Sequence, residues 1–131
     1  MAFEGKYIET SSENFDAVLE KIGIPQDIIN LMCGSKYEIE ITCEDDLWTM
    51  TTSACGTSTT IKFKLDEEFD EQLMNGKTVT SKITLEGDNK WIHVMNCEKE
   101  VVIERIFTDG GQEVTCTCED VISTRTYERV N

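Results

Sequence analysis

The chain has 131 residues, enough for one domain that buries a core without disulfides. Its 26 acidic residues outnumber 12 basic ones, and the formal net charge of −14 argues against nucleic acid or an anionic membrane as a partner. We therefore expect a single domain over residues 1–131 that is a monomer with an acidic outer surface.

The N-terminal sequence gives no sign of a targeting signal. It has neither a basic head nor an apolar run of signal-peptide length, and Ala2 stands where myristoylation requires glycine. No segment approaches the roughly 18 consecutive apolar residues that span a bilayer. The sequence therefore predicts a cytoplasmic protein, in which the six cysteines are reduced thiols.

Two short helices are predicted near the N-terminus. The first has apolar residues at the i, i+3, i+4 and i+7 spacing of one helical face, namely Phe15, Val18, Leu19 and Ile22. Ser12 or Asn14 can cap its start, and Gly23 can end it. The second helix has Pro25 at its first position and Gly34 just past its end, so the two form a helical hairpin.

The rest of the chain shows the alternation of short antiparallel strands. Polar and apolar residues alternate in segments 38–42, 47–52, 59–65, 79–85, 90–95, 101–107, 113–118 and 121–127. Turn residues separate several of them, most plainly at 75–76, 87–89 and 109–111. Even spacing and short turns favour a meander closed into a barrel.

Two arginines are the strongest anomaly in these strands. Arg105 shares a strand face with apolar residues, and Arg125 shares one with Tyr127, because residues two apart in a strand face the same side. A guanidinium among apolar groups is costly unless an anion meets it. One interpretation is a carboxylate site of Arg105, Arg125 and Tyr127; the alternative is that both arginines face solvent and pair with acidic residues. Arg129, near the chain end, is predicted to be exposed.

Four motifs in order resemble those of the intracellular lipid-binding proteins, the family of cytosolic fatty-acid-binding and cellular retinoid-binding proteins. They are Gly5-Lys6-Tyr7 with Asn14-Phe15-Asp16 and Val18-Leu19, Phe63-Lys64-Leu65 with Glu68-Phe69-Asp70-Glu71, Arg105, and the final Thr124-Arg125-Thr126-Tyr127. The resemblance runs from about Gly5 to Arg129. Two departures are Glu9, where the N-terminal signature usually has an apolar residue, and Gly56, where a portal turn often has an aromatic one.

The resemblance implies an all-β fold, a ten-stranded antiparallel up-and-down β-barrel with a helix-turn-helix lid over about residues 14–35. It implies non-covalent binding and transport of a long-chain fatty acid, whose carboxylate meets Arg105, Arg125 and Tyr127, with no cofactor and no catalysis. The residues that would contact the ligand tail are Phe15, Val18, Leu19, Ile22, Thr52, Met74, Ile103, Val114 and Cys116. Plain core packing is the alternative for each of them.

The sequence also suggests alternatives to this function. Retinoic acid is the alternative ligand, because the same two arginines and tyrosine suit any apolar carboxylate. A thiol or metal-binding function, suggested by Cys116 and Cys118 on one strand face, lacks the usual spacing of a zinc site. The lone His93 is expected to be packed or to line the cavity. The acidic lid predicts release of ligand into solution rather than docking on anionic membranes.

Overall fold

The computed structural model describes residues 3–33, 36–54, 56–72 and 76–130. The helices are α1 (Phe15–Ile22) and α2 (Gln26–Cys33). The strands are β1 (Gly5–Glu13), β2 (Glu38–Glu44), β3 (Leu47–Ala54), β4 (Thr57–Phe63), β5 (Glu68–Gln72), β6 (Thr78–Glu86), β7 (Lys90–Asn96), β8 (Glu100–Thr108), β9 (Gly111–Cys118) and β10 (Val121–Arg129). Within these ranges neither helix is long and apolar enough to cross a membrane.

The strands form one antiparallel sheet that curls into a nearly closed barrel. Its ten strands follow the order β4-β3-β2-β1-β10-β9-β8-β7-β6-β5, so the first strand pairs with the last. No ladder joins β4 to β5 in the described part of the chain, but the ring of Phe63 stacks on that of Phe69 with centroids 5.6 Å apart. The up-and-down barrel with a helical lid is thus confirmed, with one seam held by side chains.

The lid helices begin and end almost where the sequence indicated. Gly23 ends α1 with a φ of 102°, and its N–H contacts the carbonyl oxygens of Leu19 and Glu20. The prediction of a side-chain cap was wrong: Asn14 precedes α1, but its Nδ2 donates to the carbonyl oxygen of Ile122 at 2.9 Å. Asn14 therefore ties the lid to β10 rather than capping the helix. Gly34, predicted to end α2, lies outside the described residues.

Two observed strands, β1 and β5, were not among the segments predicted from the alternation of polar and apolar residues. In β1 the side chain of Tyr7 faces inward, and so does that of the charged residue Glu9 two positions later. In β5, which has only five residues, Phe69 is the single apolar side chain. Short or charged strands weaken the period-2 signal, and pairing with long neighbours then decides the structure.

The buried apolar side chains of the described residues form two clusters. The larger is centred on Trp91, which is fully buried and meets the rings of Phe3, Trp48 and Phe107 with centroids 5.1 to 5.2 Å apart. The smaller lies beneath α1 and contains Val18, Met95, Val101, Cys116 and Cys118. The clusters do not fill the barrel, and the remaining space forms the cavity described next.

Candidate ligand-binding site

A cavity of about 360 Å³ lies between α2 and the strands on both sides of the open seam. Its lining residues are Ile28, Leu31, Tyr37, Met50, Thr52, Ala54, Thr57, Thr59, Ile61, Glu71, Gln72, His93, Ile103 and Arg105. Leu31 is exposed, which places the mouth at α2, and Gly56 forms the neighbouring turn with a φ of 74°. A mostly apolar cavity with a few charged groups is the usual form of a small-molecule site.

Arg105 supplies the cation that lines this cavity. Its side chain is buried, and Nη1 donates to Oε1 of Gln112 at 3.2 Å. Burial lowers the pKa of Arg105 to about 10, so the guanidinium keeps its charge at neutral pH. A buried charge with one neutral partner gains by meeting an anion.

Strand register brings Arg105 and Arg125 into one inward row. Val114 of β9 pairs with Arg125 on β10 and with Arg105 on β8, so the two arginines flank it at a backbone separation of about 10 Å. In the next row Gln112 pairs with Tyr127 on β10. The register thus gathers two guanidiniums, an amide and a phenol on adjacent strands.

Arg125 is enclosed by aromatic rings. Its guanidinium carbon lies 4.0 Å from the ring centroid of Phe15, 5.4 Å from that of Tyr37 and 5.7 Å from that of Tyr127. Its Nη1 lies 4.0 Å from Oε2 of Glu9, a distance that gives an ion pair but not a hydrogen bond. The lid helix α1 therefore covers Arg125 through Phe15.

Several buried donors in this region have no hydrogen-bond partner among the described residues. They are Nε and Nη1 of Arg125, Oη of Tyr127 and Nε2 of Gln112. Burial raises the pKa of Tyr127, although Arg125 and Arg105 oppose the shift, so its hydroxyl remains a neutral donor. Unpaired buried donors are costly, and a ligand with acceptor oxygens would satisfy them.

A carboxylate that sequence reasoning missed also faces the cavity. Oε1 of Glu71 accepts from Oγ of Ser81 at 2.9 Å and lies 2.8 Å from Nε2 of His93. Burial would raise the pKa of Glu71, but the contacts with His93 and Ser81 outweigh it and the pKa is lowered. His93 is thus both packed and cavity-lining, as the sequence indicated. The sequence signal for an inward-facing Glu71 was its position two residues after Phe69, on the same face of the strand.

The residues assigned to the ligand tail are distributed over the interior. Thr52 and Ile103 line the cavity, and Phe15 covers Arg125. The others pack in or against the two apolar clusters, namely Val18, Leu19, Ile22, Val114 and Cys116. Met74 lies outside the described residues. Contact of these residues with a ligand tail stays a prediction.

Arg129 is half-buried, not exposed as the sequence analysis predicted. Its Nη1 donates to the carbonyl oxygen of Glu4 at 2.7 Å, and its guanidinium carbon lies 4.9 Å from the ring centroid of Tyr7. These contacts tie the end of β10 to the N-terminal segment. They place Arg129 apart from the residues that line the cavity.

The thiols on β9 do not favour a metal site. Cys116 and Cys118 are buried in the cluster beneath α1, and burial raises the pKa of Cys116 to about 11. Metal ligation needs thiolates, which this apolar environment disfavours. The described residues contain no group of three or more metal-ligating side chains.

Comparison with known proteins identifies the family to which this architecture belongs. Residues 4–131 match the model of the lipocalin / cytosolic fatty-acid binding protein family. The chain belongs to this family. It is a family of lipid-binding proteins rather than enzymes, in agreement with the prediction of binding without chemistry.

Individual members are similar over nearly their whole length. A fatty acid-binding protein of Tyrophagus putrescentiae is 39% identical over 125 residues, 95% of each chain. Mouse cellular retinoic acid-binding protein 2 is 31% identical, with 97% of each chain covered. The structure of a Schistosoma mansoni fatty acid binding protein in complex with arachidonic acid superposes with a TM-score of 0.93 at 28% identity, covering 98% of this chain and 96% of that one.

Proposed function

We propose that this protein binds long-chain fatty acids non-covalently inside its barrel and carries and buffers them in the cytosol as a monomer of one domain. The observation that carries the proposal is a group of buried donors, from Arg125, Tyr127 and Gln112, that have no hydrogen-bond partner among the described residues and lie beside an apolar cavity that Arg105 lines. Family membership and the relatives named for fatty acids support it.

The head group and the tail have separate tasks. Arg105, Arg125 and Tyr127 would hold the carboxylate, since charge-assisted hydrogen bonds select for an acid. The tail would supply most of the affinity, because each buried methylene contributes about 0.8 kcal/mol. Tail contacts would come from Thr52 and Ile103, which line the cavity.

Lipid recovered with the purified protein tests the proposal directly. Native mass spectrometry is expected to find a long-chain fatty acid bound to the protein, and oleate should displace a fluorescent fatty acid from the delipidated protein at micromolar concentration or below. Failure to recover any apolar acid, together with failure of oleate to displace the probe, would contradict the function.

Retinoic acid is the second candidate ligand. It is favoured by the similarity to mouse cellular retinoic acid-binding protein 2 and by the same arginines and tyrosine. Competition separates the candidates: the function as proposed requires that oleate displace the fluorescent probe at lower concentration than retinoic acid does.

Ligand transfer should occur through solution. The lid exposes Asp16, Glu20 and Asp27, and Nζ of its Lys21 is paired with Asp120 at 3.6 Å. Such a surface is repelled by anionic bilayers. Transfer of a fluorescent fatty acid to acceptor vesicles is therefore expected at a rate that does not depend on vesicle concentration or on phosphatidylserine content.

A lid of opposite charge provides the comparison for this transfer experiment. Glu20→Lys combined with Asp27→Lys should make the rate rise with vesicle concentration, because a basic lid can dock on the bilayer. A rate that already rises with vesicle concentration and phosphatidylserine in the unmodified protein would contradict transfer through solution.

A further inference from the structure

Glu9 is a buried carboxylate at the centre of the head-group region. It is 7% exposed, and it pairs with Tyr127 across β1 and β10 just before the register shift between Glu9 and Ser11. Its Oε1 accepts from the backbone N–H of Tyr37 at 3.4 Å, and its own N–H donates to the carbonyl oxygen of Tyr37 at 2.9 Å. Backbone contacts therefore hold the carboxylate inside the barrel.

The cation that faces Glu9 is Arg125. Oε2 of Glu9 and Nη1 of Arg125 are 4.0 Å apart, and both side chains are less than one-tenth exposed. Opposite charges attract across this distance, and little water lies between them to screen the attraction, yet Nη1 and Nε of Arg125 form no hydrogen bond within the described residues. Glu9 thus offsets the charge of Arg125 without using these donors.

The two arginines are consequently unequal. Arg105 lines the cavity, whereas Arg125 is not among the described lining residues and lies behind Phe15. Glu71 also faces the cavity and attracts the charge of Arg105, but its Oε1 is engaged by Ser81 and His93 rather than by the guanidinium. Among the described residues, the interior thus holds the carboxylates of Glu9 and Glu71 and the guanidiniums of Arg105 and Arg125, and an arriving fatty acid adds a further negative charge.

We propose that Glu9 is a specificity-determining residue that acts as an internal counter-ion of Arg125. It leaves Arg105 as the main cation for the ligand. It thereby reduces the preference of the protein for a fatty acid over a neutral lipid with the same chain. This inference rests on the proposed function, since it concerns the same head-group site. An apolar residue at this position would leave both guanidiniums free for the anion.

The test is Glu9→Gln, which removes the charge and nearly preserves the shape. Dissociation constants for oleate and for oleyl alcohol are measured by displacement of a fluorescent fatty acid. Oleate is expected to bind about tenfold more tightly than to the unmodified protein, while the affinity for oleyl alcohol changes less than about twofold. An unchanged or smaller ratio of the two affinities would overturn the inference.

Two further variants make the result specific. Glu13→Gln removes one charge from the exposed end of the same strand and should leave the ratio unchanged, which excludes an effect of net charge. Glu9→Gln combined with Arg125→Gln removes both members of the ion pair, so it avoids an unpaired buried charge if the single variant fails to fold. It should keep the ratio within about threefold of the unmodified protein. A collapse of the ratio would show that Arg125 is the main cation.

The outcomes for this inference and for the proposed function are distinguishable. If the unmodified protein binds oleate but Glu9→Gln leaves the ratio unchanged, only the role of Glu9 is wrong. If the unmodified protein binds neither oleate nor oleyl alcohol, fatty-acid binding itself is wrong, and the role of Glu9 is overturned with it.

Discussion

Replacement of Arg105 by glutamine is expected to weaken oleate binding by about tenfold to a hundredfold and to change the affinity for oleyl alcohol little. A hydrogen bond to a charged group contributes about 1.5–3 kcal/mol, which corresponds to that range. Arg105 is the guanidinium that lines the cavity, and its Nη1 has only the neutral amide oxygen of Gln112 as a hydrogen-bond acceptor among the described residues. Displacement titrations with both lipids measure the effect.

The same variant should leave the fold nearly intact. Burial of a guanidinium costs free energy, so its removal offsets the loss of the contact with Gln112 and of the attraction by Glu71. The free energy of unfolding is therefore expected to change by less than about 1 kcal/mol in a urea titration. A variant that lost stability and oleate binding together would show that Arg105 is structural rather than a ligand contact.

Arg129→Gln is the matched control for the charge. It removes an identical group from the barrel, but at a position where the guanidinium contacts Glu4 and Tyr7 instead of the cavity. Oleate affinity should change less than about twofold. Equal losses in the two variants would mean that net charge, and not the location of Arg105, governs binding.

Which residues share a strand face with each arginine could be predicted, because strand parity is a local property; parity alone left both the inward and the solvent-facing interpretation open. Arg105 shares parity with Phe107, and Arg125 with Tyr127, and all four are buried. The distance between the two arginines could not be predicted in the same way. It depends on the register that sets both opposite Val114, which three strands determine together.

Other parts of the site were missed because their signals are weak in a single strand. Gln112 has the parity of Val114 and Cys116, but it directly follows the turn glycines and reads as part of the loop. Glu71 lies in a five-residue strand among other acidic residues. In both cases the side chain is inward because pairing with long neighbouring strands overrides composition.

Glu9 shows where local pattern and tertiary structure disagree. An acidic residue in a strand is expected on the solvent face, but the inward row of β1 contains both Tyr7 and Glu9. A cation from β10 makes the burial tolerable, since Nη1 of Arg125 lies 4.0 Å from Oε2 of Glu9. Disagreement between the local sequence pattern and the tertiary structure is most often found at functional positions.

The largest loss of stability is expected from Gly111→Ala, at the start of β9. A Cβ at this position would lie 1.9 Å from the carbonyl oxygen of Tyr127 and 3.1 Å from Cα of Glu128. These are backbone atoms of the adjacent strand, so no side-chain rotation relieves the overlap and β9 and β10 must move apart. We expect the free energy of unfolding to fall by about 3 kcal/mol or more.

Binding should fall with stability in this variant, because the displaced backbone carries Tyr127 and, two residues earlier, Arg125. Gly110→Ala is the control: apart from its two chain neighbours, no described residue has an atom within 4 Å of a Cβ placed there. That substitution should be neutral or raise stability by up to about 1 kcal/mol, since alanine restricts the unfolded chain. Urea unfolding of both variants decides the matter, and equal stabilities would mean that the two strands are not packed this closely at Gly111.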